Sequence, residues 1–166
     1  YQMTNLQLLW DLDTASGEDL DARAKDVNPV EITRLLKTSS TGTVAFYRTT
    51  SGTAVTIPAG TAVKTSDGTE YTTNALSTIG SADTSVIGVA ATAIVAGLSG
   101  NLSDIGLRKS DVGGPTGISL LSGTVAGVEE VNNDIPFTGG QDQENDSQLR
   151  ERIKTYLRSL SRGTPD

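Results

Sequence analysis

The sequence predicts an α+β protein, an antiparallel β-sandwich or barrel-like domain flanked by N-terminal helices and a C-terminal amphipathic helix. Three observations carry this prediction. Apolar residues recur at helical spacing near both ends of the chain, Thr-, Gly- and Val-rich segments with a period of two fill the middle, and a glycine pair followed by an acidic run leads into the last helical stretch.

Near the N-terminus, Leu6, Leu9, Trp10 and Asp13 share one helical face, Ser16-Gly17 interrupts, and Leu20, Ala24 and Val27 resume the spacing. Asn28-Pro29 closes this second helix, because the residue before a proline is pushed out of the helical region. A third short helix is expected next, with Val30, Arg34 and Lys37 outward and Ile32, Leu35 and Leu36 inward.

From Thr41 the period changes to two. Val44 and Phe46 alternate with Thr43, Ala45 and Tyr47, and Val55 and Ile57 flank Thr56. Threonine becomes the dominant polar residue, as suits a pleated, half-solvated surface. Asp67-Gly68 between Val63-Lys64-Thr65 and Glu70-Tyr71-Thr72 signals a hairpin. The run at 86–95 is the most apolar and predicts a central strand buried on both faces, with further strands at 102–107, 118–121 and 125–131. Short strands at this spacing, without long alternating helices, favour a sandwich or barrel over a doubly wound sheet.

The last helix is expected across 142–162. Leu149, Ile153, Tyr156, Leu157 and Leu160 form its apolar stripe, Glu144 and Asp146 precede it, and Arg150, Arg152, Lys154, Arg158 and Arg162 load its body and end with positive charge, which suits the helix dipole. Asn145 with Gln148 predicts an Asn-initiated capping box, and Gly163 with Pro165 a stop. The chain thus divides into a helical region at 1–40, a β domain at 41–137, and a glycine turn with its helix at 138–166. Tyr1 in place of an initiator Met predicts a segment of something longer.

Composition narrows the chemistry. Cys and His are both absent, which removes disulfides, thiolate and imidazole nucleophile systems and the usual zinc ligands. A formal charge of -7 and a pI near 4.5 supply neither phosphate neutralisation nor headgroup attraction, so proteins rather than nucleic acids or membranes are the expected partners. No window approaches the roughly 20 apolar residues of a membrane span, and the N-terminus lacks the pattern of a signal peptide. The expectation is a soluble chain.

Weaker chemical signals fail on spacing. Asp11-Leu12-Asp13 with Gly17 places the glycine one position late for a calcium loop, with Ala15 and Ala22 where ligands belong. Gly139-Gly140-Gln141-Asp142 lacks the third glycine and the second copy of a calcium-binding β-roll. Lys109-Ser110 lacks the glycine a phosphate loop places before its lysine. Glu129 and Glu130 are strand neighbours that point to opposite faces and cannot jointly flank a glycosidic bond. Arg150, Arg152 and Lys154 read as a solvated or subunit-facing helix side rather than a nucleic-acid patch. No catalytic residue, metal or cofactor is expected.

In order along the chain, Gly17-Glu18-Asp19-Leu20-Asp21, Val55-Thr56-Ile57-Pro58-Ala59-Gly60-Thr61, Gly97-Leu98-Ser99-Gly100-Asn101 and Gly139-Gly140 followed by Asp142, Glu144, Leu149, Arg150 and Arg152 resemble the baseplate J-like family of phage tail and contractile-injection baseplate proteins. The resemblance covers most of the chain and departs from the family around 27–30. It implies structural turns at Gly60, Gly100, Gly139 and Gly140 and a non-enzymatic wedge component of the virion tail baseplate. That component links the central hub to peripheral tail proteins, stands in multiple copies in a sixfold ring, is assembled in the host cytoplasm and continues into a further domain after 162–164. Leu149, Arg150, Arg152, Ile153 and Leu157 then read as a subunit-contact helix, with terminal helices making the larger contacts and an isolated chain that is monomeric or weakly associated. The alternative is an adhesin-like or receptor-binding β module, which should show exposed aromatics at loop tips. A carboxylate glycosidase ranks third.

Overall fold

The computed structural model describes residues 12–27, 31–103, 105, 117–121 and 123–161. The chain forms two compact units, one comprising Lys37–Asp142 and the other Tyr1–Leu36 together with Gln143–Asp166. The N-terminal region and the C-terminal helix therefore belong to the same unit, with the β unit inserted between them in sequence.

Among the described residues the β unit contains eight strands, β1 (Thr41–Tyr47), β2 (Val55–Ile57), β3 (Ala62–Thr65), β4 (Glu70–Thr73), β5 (Ser77–Ile79), β6 (Ser85–Ala93), β7 (Ile118–Leu121) and β8 (Glu130–Asn132). Six of them form one antiparallel sheet in the order β7-β3-β4-β6-β1-β8, and β2 pairs with β5 in a small second sheet. The two end strands, β7 and β8, lie beside each other, and Ile118 N donates to Asn133 Oδ1 at 2.8 Å next to that seam. The sheet is thus a nearly closed barrel, the arrangement that leaves the least unpaired edge. Alternation along β1 sends Val44 and Phe46 into a core shared with Ile57, Val63, Tyr71, Ile79, Val89, Ile118, Val131 and Phe137.

The expected hairpin at Asp67-Gly68 is present. It joins β3 to β4 in the register Val63↔Tyr71, with Gly68 at φ 93. The apolar run at 86–95 does form a central strand, between β4 and β1, but it is not buried on both faces. Ile87 is 68% exposed, and Ile94 and Val95 lie past the strand end. The cause is a bulge. Between the pairs Phe46↔Val86 and Val44↔Val89, β6 carries two residues against one in β1, and Gly88 takes φ 72 there, turning Ile87 outward. Of the strand expected at 125–131, Glu130–Asn132 is extended. The residues before it form a turn in which Val128 N donates to Val125 O and Gly127 takes φ 85. At 102–107, Leu102 forms a single bridge to Phe137, while residues 104 and 106–107 lie outside the described residues.

The helical unit contains α1 (Gly17–Lys25) and α2 (Asp146–Ser161). Leu20 and Ala24 of α1 pack with Leu149, Ile153 and Leu157 of α2 and with Leu12, Ala15, Val27 and Ile32. The capping box forms as expected. Gln148 N donates to Asn145 Oδ1 and Asn145 N donates to Gln148 Oε1, each at 3.0 Å. The third short helix does not form. Residues 31–37 form neither helix nor strand, Ile32 is buried, and Leu35 and Leu36 are 56% and 73% exposed. Leu35 explains why, since its N–H donates to Glu144 Oε2 and its carbonyl accepts from Glu144 N, leaving neither group for a helical partner. Leu6, Leu9, Trp10, Asn28-Pro29, Gly163 and Pro165 lie outside the described residues.

Candidate functional site

Two glycine motifs about forty residues apart in sequence meet on the β unit. After β6, the chain turns at Gly97 into a short 3-10 turn, Leu98–Gly100. On the other strand of the junction run Thr138, Gly139, Gly140, Gln141 and Asp142. The Asn101 carboxamide clamps Gly140 from both sides, its Nδ2 donating to Gly140 O and its Oδ1 accepting from Gly140 N, each at 2.8 Å. One side chain thus replaces the partner strand that a peptide group would otherwise need. Asp142 Oδ1 accepts from Leu98 N at 2.9 Å. Thr38 completes the clamp, with N–H to Gln141 O, carbonyl from Gly97 N and Oγ1 to Gly139 O at 2.8 Å.

Glycine is required here for two different reasons. Gly139 stands at φ 87 with open space around it, whereas Gly140 has ordinary φ and a Cβ there would collide with the Gly97 carbonyl oxygen. One position needs the left-handed backbone, the other the missing Cβ. Gly100 is tight as well, since a Cβ would press on Ala93 and Ser40. Its carbonyl accepts from Ser40 Oγ and from the Tyr71 hydroxyl at 3.0 Å. Tyr71 is fully buried, its ring 4.4 Å from that of Phe137, and burial followed by the charge of Asp67 pushes its hydroxyl up to about 12. It remains a neutral donor under all ordinary conditions.

Gly60, the other glycine of the sequence reading, lies elsewhere, at φ 80 in the Pro58–Thr61 turn. There Gly60 N donates to Thr73 O, and Thr73 Oγ1 and Thr61 Oγ1 both donate to Pro58 O, at 3.0 and 2.7 Å. Because Ile94 N bonds Glu70 O and Gly60 N bonds Thr73 O, the Gly97–Asn101 turn and the Gly60 turn sit at opposite ends of β4.

The helical unit buries three of its five singled-out residues and engages the other two in bonds within the unit. Leu149, Ile153 and Leu157 are in its core. Arg150 donates to Leu12 O and Ala15 O at 2.7 and 2.8 Å. Arg152 forms a two-pronged pair with Glu144 (Nε to Oε1 2.9 Å, NH2 to Oε2 2.6 Å) and also reaches Thr33 O. Lys154 pairs with Asp13. These three cations, expected as a solvated or subunit-facing side, are engaged within their own unit. The Arg152 guanidinium holds the Glu144 carboxyl below the usual carboxylate range, with the Leu35 N–H assisting. The Gly17 N–H, then Arg34, do the same for Asp146.

Two arginines carry more structure than the sequence suggested. Arg34, expected on a helix face, donates to Asp21, to Glu144 O and to Asp146. Arg48, mostly buried at 9% exposure, donates to Asp83 O, Thr53 O and Gly80 O, tying together the loops that follow β1 and β5. The signal available for Arg48 was an arginine at the end of a charge-poor strand, and the carbonyls it meets come from segments that only folding brings close. Among the described residues, no group of three or more carboxylates is arranged to hold a metal ion, and no helix is long and apolar enough to cross a membrane.

The distinctive groups of this barrel are glycines, amides and hydroxyls bonded to backbone. The family model of the Baseplate J-like protein barrel domain matches residues 43–140, a span that contains both glycine motifs, and the chain belongs to that family. Among solved structures, a chain in the cryo-EM structure of the anti-feeding prophage (AFP) baseplate, 6-fold symmetrised, shares the fold over 82% of this chain with a TM-score of 0.54 at 11% identity. This chain spans 42% of the length of that one. No curated protein matches it in sequence. Family and fold together support a structural role in a baseplate.

Proposed function

We propose that this chain is a wedge subunit of a tail baseplate, one of several copies in a sixfold ring that links the central hub to peripheral tail proteins, assembled in the host cytoplasm and carried in the particle. The observation that carries this reading is the family match across the whole barrel, from β1 through the Gly139-Gly140 clamp. The fold shared with a chain of a sixfold-symmetrised baseplate supports the ring. The role suits the physics of the barrel. Its nearly closed sheet and clamped turns leave few backbone groups unpaired and few places for local opening, as suits a spacer between other subunits. Within this reading the chain has no catalytic step and binds no cofactor. The helical unit meets neighbouring subunits through the polar outer side of α2, where Glu151, Thr155 and Arg158 are exposed, its apolar stripe being occupied internally.

Cryo-electron microscopy of the intact particle tests this. The chain is expected around the tail axis in a multiple of six copies. Finding it at the tip of a trimeric fibre, or absent from the baseplate, overturns the reading.

A further inference from the structure

The β unit displays an apolar knob that its own fold does not use. Ile94, Val95 and Leu98 fall within five residues and are 51%, 61% and 58% exposed. They are not on a loose tip. Ile94 N is bonded to Glu70 O and Gly97 N to Thr38 O, and Leu98 N to Asp142, so the side chains are held out on a fixed backbone. At the far end of β4 lies an open groove of about 520 Å³ between the Gly60 turn and the 123–126 loop, walled by Pro58, Ala59, Gly60, Gly123, Thr124 and Ala126. Its walls are small and uncharged and leave room for several aliphatic side chains. Knob and groove lie at opposite ends of the same strand, so a chain cannot fill its own groove with its own knob.

We propose that the knob of one copy of this chain docks into the groove of the next copy, a head-to-tail contact that repeats around the assembly. The proposal rests on the reading that copies stand side by side in a ring. Charge selects the occupant. The chain carries -7 overall, so two copies repel each other except where charge is absent, and residues 49–63, 85–103 and 112–128, which supply both surfaces, contain no charged side chain. A contact between unlike patches of identical chains is heterologous and closes into a ring when the rotation permits. Three half-exposed aliphatic side chains fall well short of the roughly 800 Å² per partner of a stable interface, so this contact is weak between free chains and is multiplied by ring closure.

The absence of Cys makes the test direct. Chains carrying Leu98→Cys are mixed at high concentration with chains carrying Thr124→Cys under mild oxidation, with Ala22→Cys, an exposed position of α1 on the helical unit, as the control. The Leu98→Cys/Thr124→Cys heterodimer is expected to exceed either homodimer and either control pairing by roughly fivefold, equivalent to about 1 kcal/mol of preference. It should persist in molar salt, since screening weakens only the repulsion. Adding Ile94→Asp and Val95→Asp, both exposed positions, should remove the preference while circular dichroism stays unchanged. Predominant Leu98–Leu98 homodimers, equal yields of all pairings, or indifference to the two aspartates overturns the proposal. If the heterodimer fails to form from a chain that imaging places in a baseplate ring, this docking is wrong and the ring reading stands. A heterodimer from a chain absent from baseplates does the reverse.

Discussion

The helical unit and the β unit are held together by different physics. In the helical unit, one apolar cluster between α1 and α2 is surrounded by charge-assisted bonds. Arg34 joins Asp21 and Asp146, Arg152 joins Glu144, and Arg150 caps the carbonyls of Leu12 and Ala15. In the β unit, pairing, aliphatic packing and neutral amide and hydroxyl bonds do almost everything, and the buried cation, Arg48, bonds to carbonyls rather than to an acid. The directions in which the carboxyl pKa values are displaced follow the same contrast. The depressed carboxyls Asp13, Glu144 and Asp146 belong to the helical unit, and the β unit adds Asp67, whose first partner is the Thr65 hydroxyl rather than a cation. A unit built on ion pairs responds to pH and to loss of one charge, whereas a unit built on close backbone approach responds to added volume.

The sharpest way to break the comparison is to attack the helical core. Ile153→Asp puts a carboxyl into a fully buried apolar position and is expected to cost about 4 kcal/mol. Hydrogen exchange should show the amides of α2 losing protection while those of β1 and β6 keep theirs. Simultaneous loss in both regions would show that the units do not unfold independently.

In the β unit, volume is the probe. Gly140→Ala meets the Gly97 carbonyl and is expected to cost about 2–3 kcal/mol through overpacking. Gly139→Ala, with free space but a left-handed backbone, should cost about 1–2 kcal/mol. Urea melts compare the two, and equal destabilisation would mean that backbone geometry and not crowding governs the clamp.

Glu144 is 8% exposed, and Glu144→Gln leaves Arg152 half-paired, at an expected cost of about 2 kcal/mol. Acid should act on the same place. Carboxyls held below their unfolded values of about 4 contribute stability that is complete above that pH and is lost as pH falls through their lower folded values. Here they are Glu144 and Asp146. Helical circular dichroism should therefore fade below about pH 4 ahead of the β signal, and the lead should shrink in Glu144→Gln. At the weak end, the pairing of Lys154 with the exposed Asp13 carboxylate should matter little, and Asp13→Asn should leave the thermal midpoint unchanged.

What could be read from the sequence followed from short-range physics. The period-two pattern of Val44 and Phe46, the Asp67-Gly68 turn, the Asn145/Gln148 cap and the spacing of Leu149, Ile153 and Leu157 each depend on residues a few positions apart, and each is present as expected. The family-resembling glycines were visible as motifs, although not as one place. The failures share a cause as well. The third helix had adequate spacing, yet Glu144, more than a hundred residues away, takes both backbone groups of Leu35. Ile87 belonged to an apolar run, yet a bulge against β1 turned it outward.

The sequence by itself determined the local elements and the acidic charge without Cys or His, because propensity, capping and composition act within a few residues, while the kind of module was legible through the resemblance of its ordered glycine motifs to a known family. Only the tertiary structure decided that Asn101 would clamp Gly140, that Arg150 and Arg152 would find their partners within their own unit, and that the knob and groove would lie at opposite ends of β4. Those outcomes depend on which distant backbone groups are left needing a partner after the strands have paired, and no local pattern encodes that remainder.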